Sequence, residues 1–172
     1  PGDCPCGPGT SCNSTGQCVE QGVAITSGAK VALKSKAWDR YCAAELDAPH
    51  IVNCNRTTIG SWEQYKFTKL NGSGALKSGD MISIYSLGQK GYCAAEDIDN
   101  HVMHCNRPGV SVWEKYIITK VSGSGTISSV DTVTIKSVEW GKYCTAVSGG
   151  KHQVYCNGNG AGSEQQFTLT PM

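Results

Sequence analysis

The sequence predicts an all-β fold, and three observations carry that prediction. Pairs of cysteines recur at a spacing of 51 residues along most of the chain. Short segments within each period alternate apolar and polar residues, as strands with one buried face do. No stretch shows the 3.6-residue period of an amphipathic helix. The two-residue alternation of apolar and polar residues therefore predicts the all-β fold class.

The composition fits a folded domain and excludes several classes of protein. The 172 residues are 39% apolar and 17% charged, and 21 of them are glycine. Lys and Arg number 15 against 14 Asp and Glu, so the net charge of +1 favours neither nucleic acid nor an anionic membrane as a partner. No apolar run reaches the roughly 18 residues of a membrane-spanning helix. A coiled coil and a highly charged disordered chain are excluded as well.

An internal repeat organises residues 23–172. Its three copies cover about 23–73, 74–124 and 125–172 and align without a gap. Periods of this length are typical of architectures in which one unit cannot bury its own apolar face. The residues that recur at this spacing are Tyr41, Tyr92 and Tyr143; Cys42, Cys93 and Cys144; His50, His101 and His152; Cys54, Cys105 and Cys156; Trp62 and Trp113.

Each copy contains four predicted strands. The first alternates in 31–35, 82–86 and 133–137; the second starts at the recurring tyrosine, and the third ends at the second cysteine. The fourth alternates again in 65–67, 116–118 and 167–169, and loops rich in Gly and Ser separate the copies. Twelve strands in three copies is the strand count of a β-trefoil, a six-stranded barrel closed at one end by three hairpins.

The ten cysteines predict a framework of disulfides. Within each copy the two cysteines are 12 residues apart, which predicts the bridges Cys42–Cys54, Cys93–Cys105 and Cys144–Cys156. Each would contribute about 3 kcal/mol in the chain-entropy description. Residues 1–22 are predicted to form a separate small knot with two further disulfides, whose pairing the sequence leaves open. The cysteines of this knot are Cys4, Cys6, Cys12 and Cys18.

The cysteines also predict the compartment. An even and high cysteine count is typical of an oxidising environment. Asn-x-Ser/Thr acceptors at Asn13, Asn55 and Asn71 agree with a secreted glycoprotein. No signal peptide is present, so Pro1 is expected to begin a mature or trimmed chain. We expect neither a metal nor a cofactor, although the Cys-x-Cys spacing and the three recurring histidines are the places where a metal would be sought.

Two families share elements of the repeat. The run from Tyr41 to Phe67, with Tyr-x-x-Ala-Glu, Asn-Arg and Trp-Glu-x-Tyr-x-Phe, resembles a fascin-type β-trefoil repeat, and this resemblance implies the trefoil fold. The disulfide within each hairpin resembles the bridge of ricin-type lectin repeats, and Gln165-Gln166-Phe167 is similar to that family's Gln-x-aromatic ending. The ricin-type pocket residues are replaced, however. Their positions hold Ala44, Ala95 and Ala146, and Val52, Met103 and Val154.

Differences between the copies point to candidate sites. The third copy replaces four side chains of the first two copies together, which indicates one coupled network. It is either an ion-paired lock stacked on tryptophan or a polar pocket with an aromatic wall suited to a sugar. The four sets are Glu45 and Glu96, replaced by Val147; Arg56 and Arg107, replaced by Gly158; Trp62 and Trp113, replaced by Glu164; Glu63 and Glu114, replaced by Gln165.

Trp38 and Trp140 lie in equivalent turns, where the second copy has Gln89. With Asp39 beside it, Trp38 could be an exposed platform on which a sugar stacks, and Trp140 could be another; alternatively both fold over the rim of the barrel. Asn55, Asn106 and Asn157 also recur, and we expect them to cap backbone groups in turns.

The function predicted from these features is secreted, non-catalytic binding of glycans or polysaccharide. The alternatives are an extracellular protein-binding trefoil, such as a protease inhibitor, toxin or defence factor, and a structural matrix or adhesive protein. For the inhibitor, the exposed segment would be 46–49 or the N-terminal knot. The sequence contains no Gly-x-Ser-x-Gly, His-Glu-x-x-His or phosphate-loop motif, so no enzyme activity is expected.

Overall fold

The computed structural model describes residues 5–172 and shows an all-β chain. A short two-stranded hairpin, β1–β2, precedes the main sheet. One 3₁₀ turn at Ser163–Gln165 lies just before the last strand. The strands are β1 Thr10–Cys12, β2 Cys18–Glu20, β3 Lys30–Ser35, β4 Arg40–Ala44, β5 Val52–Arg56, β6 Gln64–Lys69, β7 Asp80–Ser86, β8 Gly91–Ala95, β9 Met103–Arg107, β10 Tyr116–Lys120, β11 Thr132–Ser137, β12 Tyr143–Ala146, β13 Val154–Gly158 and β14 Gln166–Pro171.

Six of these strands close a barrel. Strand β3 pairs with β6, β6 with β7, β7 with β10, β10 with β11, β11 with β14, and β14 pairs back to β3, always antiparallel. Closure removes the free sheet edges that would otherwise offer unpaired backbone groups. The all-β prediction is therefore confirmed, with a closed six-stranded barrel at its centre.

The remaining strands of the large sheet form three outer hairpins, which we call hairpin one (β4–β5), hairpin two (β8–β9) and hairpin three (β12–β13). Each is joined to the barrel through its first strand. The hairpins are also joined to one another in a cycle. The backbone N–H of Cys105 donates to the carbonyl of His50, that of Cys156 to His101, and that of Cys54 to His152, at 2.8–3.0 Å.

The core fills the barrel with the alternate residues that the sequence predicted to point inward. Phe67, Ile84 and Ile118 are at most 1% exposed. The alternation is incomplete in β3 and β7, the first strands of the first two copies. There the intervening residues Ala32 and Ser83 are also buried, at most 2% exposed. The outer face of the barrel is thus covered at these points too.

The predicted disulfides Cys42–Cys54, Cys93–Cys105 and Cys144–Cys156 are confirmed. In the N-terminal segment Cys6 pairs with Cys18, and Cys12 is exposed without a bridge to any residue from 5 to 172. Cys4 lies outside the described residues, so the predicted second bridge of the knot stays a prediction.

Two buried tyrosines link the barrel to the hairpins. The hydroxyl of Tyr65 donates to the carbonyl of Cys42, and that of Tyr116 to the carbonyl of Cys93, both at 3.1 Å. Burial raises the pKa of each phenol well above its usual value, and the carboxylates of Glu63 and Glu114 act in the same direction. The neutral phenols are therefore part of the folded state.

These two phenols should resist ionisation. A folded-state pKa above the unfolded value of about 10 gives stability that is complete below that pH and is lost as the pH rises towards the folded value. In an alkaline titration of tyrosinate absorbance, we expect Tyr65 and Tyr116 to ionise only together with unfolding. The Tyr65→Phe/Tyr116→Phe double variant should lose this late phase, and each deletion should cost about 1 kcal/mol. Ionisation of all tyrosines in the folded protein would contradict the expectation.

Candidate functional site

The four co-varying residues of hairpin one form a single ion-paired network. The Nη2 of Arg56 lies 2.7 Å from Oε2 of Glu45, and its Nε lies 3.5 Å from Oε1 of Glu63. The other oxygen of Glu63 accepts the backbone N–H of Gly60 at 2.6 Å, which fixes the loop after β5. The guanidinium lies 5.8 Å from the ring of Trp62. The positive charge of Arg56 is thus shared between two carboxylates.

Hairpin two repeats this arrangement. Arg107 is paired with Glu96, its Nε lies 3.8 Å from Glu114, and its guanidinium lies 5.3 Å from the ring of Trp113. Glu114 accepts the backbone N–H of Ser111 at 2.7 Å, as Glu63 does from Gly60. The sequence therefore predicted the coupling of these residues correctly, and the arrangement has the ion pairs and stacking that a lock would need.

Hairpin three gives a physical reason for two of the four replacements, Gly158 and Gln165. Gln165, the counterpart of Glu63, donates to the hydroxyl of Thr145 at 2.9 Å. A Cβ at Gly158 would lie 2.6 Å from the same hydroxyl oxygen. A side chain as large as arginine therefore does not fit here without displacing the new bond.

The two ion-paired hairpins differ at a buried position beside the network. Asn53 in hairpin one and His104 in hairpin two occupy the same register position, and each is about 3% exposed. Asn53 donates to Glu45 at 3.2 Å. The ring of His104 is larger, and its Nδ1 lies 3.9 Å from Glu96.

The carboxylate exposure follows this exchange. The side chain of Glu45 is 21% exposed, whereas that of Glu96 is 7% exposed. We infer that the short amide leaves the network of hairpin one open to solvent and that the imidazole helps to close that of hairpin two.

A polar cavity of about 280 Å³ opens at hairpin one. Its walls include Glu45, Asn53, Asn55 and Arg56, and Lys151 reaches it from hairpin three. The side-chain oxygens Oδ1 of Asn53 and Asn55 are buried and have no hydrogen-bond donor among the residues from 5 to 172. Because Nδ2 of Asn53 donates to a carboxylate, the orientation of that amide is fixed, and its oxygen is left without a partner.

The expectation that the recurring asparagines lie in turns is wrong. The recurring asparagines lie inside strands β5, β9 and β13, not in turns, because each third strand continues two residues beyond its cysteine. Sequence reasoning also did not include Asn53 or Lys151 in the site. The variation between Asn53, His104 and Tyr155 at one position of otherwise similar copies was the available signal.

A larger cavity of about 470 Å³ lies under the loop that follows β9. Arg107 and Trp113 line it together with the apolar residues Pro108, Val110 and Val112. The indole of Trp113 already contacts the guanidinium of Arg107 and lies 6.5 Å from Trp140. This cavity has few polar groups with which to orient a polar ligand.

Trp38 and Trp140 do not line these cavities. Both are half-buried against the core, and each indole N–H donates to a carbonyl of the adjacent hairpin: Trp38 to Ala146 at 2.7 Å and Trp140 to Ala95 at 2.8 Å. Trp38 stacks on His152 at 4.2 Å. These contacts are those of a tryptophan folded over the barrel rim. The sequence left this arrangement open as the alternative to an exposed sugar platform.

Trp140, Gln89 and Asp39 also have partners at the rim of the barrel. Trp140 stacks on His101 at 4.1 Å, and Gln89 in the equivalent turn donates to Ala44 at 2.9 Å. Asp39 is paired with Lys34, whose ammonium donates a hydrogen bond to the carboxylate and lowers its pKa. The side chain of Asp39 is 80% exposed and is not brought to the polar cavity.

The recurring histidines serve the fold in a similar way. Each Nδ1 faces a hairpin carbonyl, as in the 2.9 Å contact of His50 with Glu45. Since a carbonyl only accepts, this nitrogen carries the proton. Within residues 5–172 no group of His, Cys, Asp and Glu has the arrangement of a metal site, and no helix is long and apolar enough to cross a membrane.

Comparison with known proteins gives the fold. No family model matches the chain, and no curated protein matches its sequence. Among solved structures, the SDF2-like protein from Arabidopsis thaliana has a TM-score of 0.74 at 11% identity, with 86% of this chain and 95% of that chain covered. A designed 3-fold symmetric protein, ThreeFoil, has a TM-score of 0.68 at 10% identity, with 83% and 99% covered.

A lectin is also similar. The Polyporus squamosus lectin, solved with the epitope Neu5Aca2-6Galb1-4GlcNAc, has a TM-score of 0.69 at 15% identity; the match covers 86% of this chain and 50% of the lectin chain. At these identities the likeness concerns the fold. The chain has a β-trefoil-like fold, and its four disulfides among residues 5–172 indicate an oxidising compartment. The specific resemblance to fascin-type repeats stays a prediction.

The buried His104 should make stability sensitive to acid. Burial lowers its pKa, and Arg107 and His50 act in the same direction, against the charges of Glu96 and Asp99. The unfolded chain, with the ordinary histidine pKa of about 6.5, therefore binds a proton first, and the free energy of unfolding falls as the pH drops below that value.

Urea unfolding at several pH values between neutral and about pH 5 checks this. The matched variant is His104→Asn, which installs the residue of hairpin one and should remove this part of the pH dependence. Parallel pH profiles for the two proteins would show that His104 titrates in the folded state as it does in the unfolded chain.

Proposed function

We propose that this chain is a secreted, non-catalytic β-trefoil of three 51-residue repeats that binds carbohydrate in the polar cavity of hairpin one. One observation carries the proposal: the cavity contains two buried amide oxygens, on Asn53 and Asn55, that no described group of the protein satisfies. Leaving a buried acceptor unpaired costs about 1–3 kcal/mol. A ligand with hydroxyl groups would supply the missing donors.

The other walls of the cavity suit a polyol. A hydroxyl both donates and accepts, so it can pair with an amide oxygen and with the ammonium of Lys151 or the partly exposed carboxylate of Glu45. Arg56 is neutralised by its two carboxylates and so adds hydrogen-bonding capacity without a free charge. In the free protein, water can occupy these positions, and a sugar would replace it at small cost.

The wider features support the same proposal. The trefoil-like fold is shared with a lectin that was solved with a glycan. The disulfides and the three acceptor sequons fit secretion, and residues 1–22 are proposed to form a unit separate from the trefoil of 23–172. Glu45, one of the two acidic residues that line the cavity, is held in an ion pair by Arg56, which favours binding over acid–base catalysis.

A second candidate function is binding of an extracellular protein, such as a protease, through the hairpin tips. Leu46 is 60% exposed and Ile98 is 54% exposed, so two apolar side chains project from hairpins one and two. An inhibitor would block one protease class at stoichiometric concentration and would not bind glycans. A matrix or adhesive protein, the third candidate, would self-associate and do neither.

A glycan array that includes chitin, cellulose and β-glucan fragments tests the primary proposal. In the oxidised protein, made without N-linked glycans, we expect binding to one sugar class. Asn53→Ala removes one of the two unpaired oxygens and should lower affinity about tenfold, which corresponds to about 1.4 kcal/mol. The protein should stay folded by near-ultraviolet circular dichroism.

The matched control is His104→Ala at the same position of hairpin two, which should leave the affinity unchanged. Loss of binding in Trp113→Ala with normal binding in Asn53→Ala would move the site to the loop after β9. Silence of the folded protein made without N-linked glycans would overturn the carbohydrate proposal.

A further inference from the structure

The polar cavity contains a residue that can itself be modified. Asn55 is followed by Arg56 and Thr57, so it stands in an Asn-x-Thr sequon, and it lines the cavity of hairpin one. The equivalent residues Asn106 and Asn157 are followed by Arg-Pro and Gly-Asn and form no sequon. The acceptor motif therefore occurs in the one hairpin whose network is open.

The other two sequons are placed differently. The side-chain oxygen of Asn13 accepts from the backbone N–H groups of Thr15 and Gln17, and also from the hydroxyl of Thr15, so it belongs to a tight turn. Asn71 is exposed in the loop between β6 and β7, away from the cavity. It provides an internal reference for glycosylation of an unhindered site.

We propose that Asn55 carries an N-linked glycan whose first sugar lies in the polar cavity, so that glycan occupancy at Asn55 decides whether the cavity can bind an external sugar. The second half rests on the proposed function. The first sugar of such a glycan is an N-acetylglucosamine, and it would bring its hydroxyl and amide N–H donors to the unpaired oxygen of Asn53.

The donor of the glycan in this reaction is an oligosaccharide linked to a lipid diphosphate. The bond that forms joins Nδ2 of Asn55 to the anomeric carbon of the sugar. The bond that breaks joins that carbon to the lipid diphosphate, which leaves with the electron pair, while Nδ2 loses a proton. The oxidising compartment indicated by the disulfides includes the places where such donors act.

The size of the cavity makes the two occupants exclusive. Its volume of about 280 Å³ lies at the lower end of ligand cavities, near 300 Å³. It has room for one sugar ring beside Asn53, and that ring cannot belong to both the attached glycan and an external ligand.

The experiment compares the wild-type protein with Thr57→Ala and Ser73→Ala, all secreted from a eukaryotic host. Thr57 is exposed and its substitution removes the acceptor motif while Asn55 stays in the cavity. Ser73→Ala removes the motif of Asn71 and is the matched control. Glycopeptide mass spectrometry should find both Asn55 and Asn71 modified in the wild type; an unmodified Asn55 beside a modified Asn71 would overturn the proposal.

A second readout tests the placement of the sugar without any external ligand. An endoglycosidase that cuts within the glycan core should trim the Asn55 glycan at least tenfold more slowly than the Asn71 glycan in the native protein. After reduction and denaturation the two rates should be equal. Equal rates in the native protein would overturn the placement of the first sugar in the cavity.

The array separates failure of this inference from failure of the proposed function. Thr57→Ala should bind glycan at least tenfold more tightly than fully occupied wild type, and Ser73→Ala should match wild type. Equal binding by Thr57→Ala and occupied wild type would overturn the shared cavity. A silent Thr57→Ala protein, with the Asn55 glycan of the wild type still protected, would support the placement and refute only external sugar binding.

Discussion

The cyclic set of backbone hydrogen bonds between the three hairpins is the constraint on which the rest of the structure depends. Each recurring histidine offers its carbonyl to the cysteine of the next hairpin, and each adopts a left-handed backbone conformation, with φ of 49–63°. That conformation is uncommon outside glycine, and the cycle of bonds holds it. The disulfides then tie the two strands of each hairpin together, so every hairpin has a fixed position relative to its neighbours.

This fixed scaffold allows the hairpins to diverge where they do not contact one another through the backbone. Hairpins one and two keep the arginine held between two glutamates, and hairpin three replaces it with a hydrogen bond between Gln165 and Thr145. The buried residue beside the network, Asn53 in hairpin one and His104 in hairpin two, differs between the more exposed network and the more buried one. Two buried amide oxygens without a donor among the described residues are typical of a binding site, where water or a ligand completes the hydrogen bonds.

The aromatic residues illustrate how context decides the use of a side chain. In the sequence, Trp38 and Trp140 lie in charged turns, where an exposed tryptophan could serve as a platform on which a sugar stacks. In the structure their indoles bind carbonyls and histidines of adjacent hairpins, so they help to join the hairpin layer to the barrel. A tryptophan whose N–H is satisfied and whose face is covered contributes to stability more directly than to recognition.

The sequence by itself determined the all-β class, the positions of the strands and the three hairpin disulfides, because two-residue alternation and a 51-residue spacing are local or periodic properties. It also determined that Glu45, Arg56, Trp62 and Glu63 act together, because their joint replacement is visible in the copies. Only the tertiary structure decided which copy is open. Lys151 reaches the cavity of hairpin one from a segment about 100 residues away, and the exposure of Glu45 depends on packing across strands. Such contacts between distant segments follow from the closure of the barrel and the cycle of hairpins, which no local pattern records.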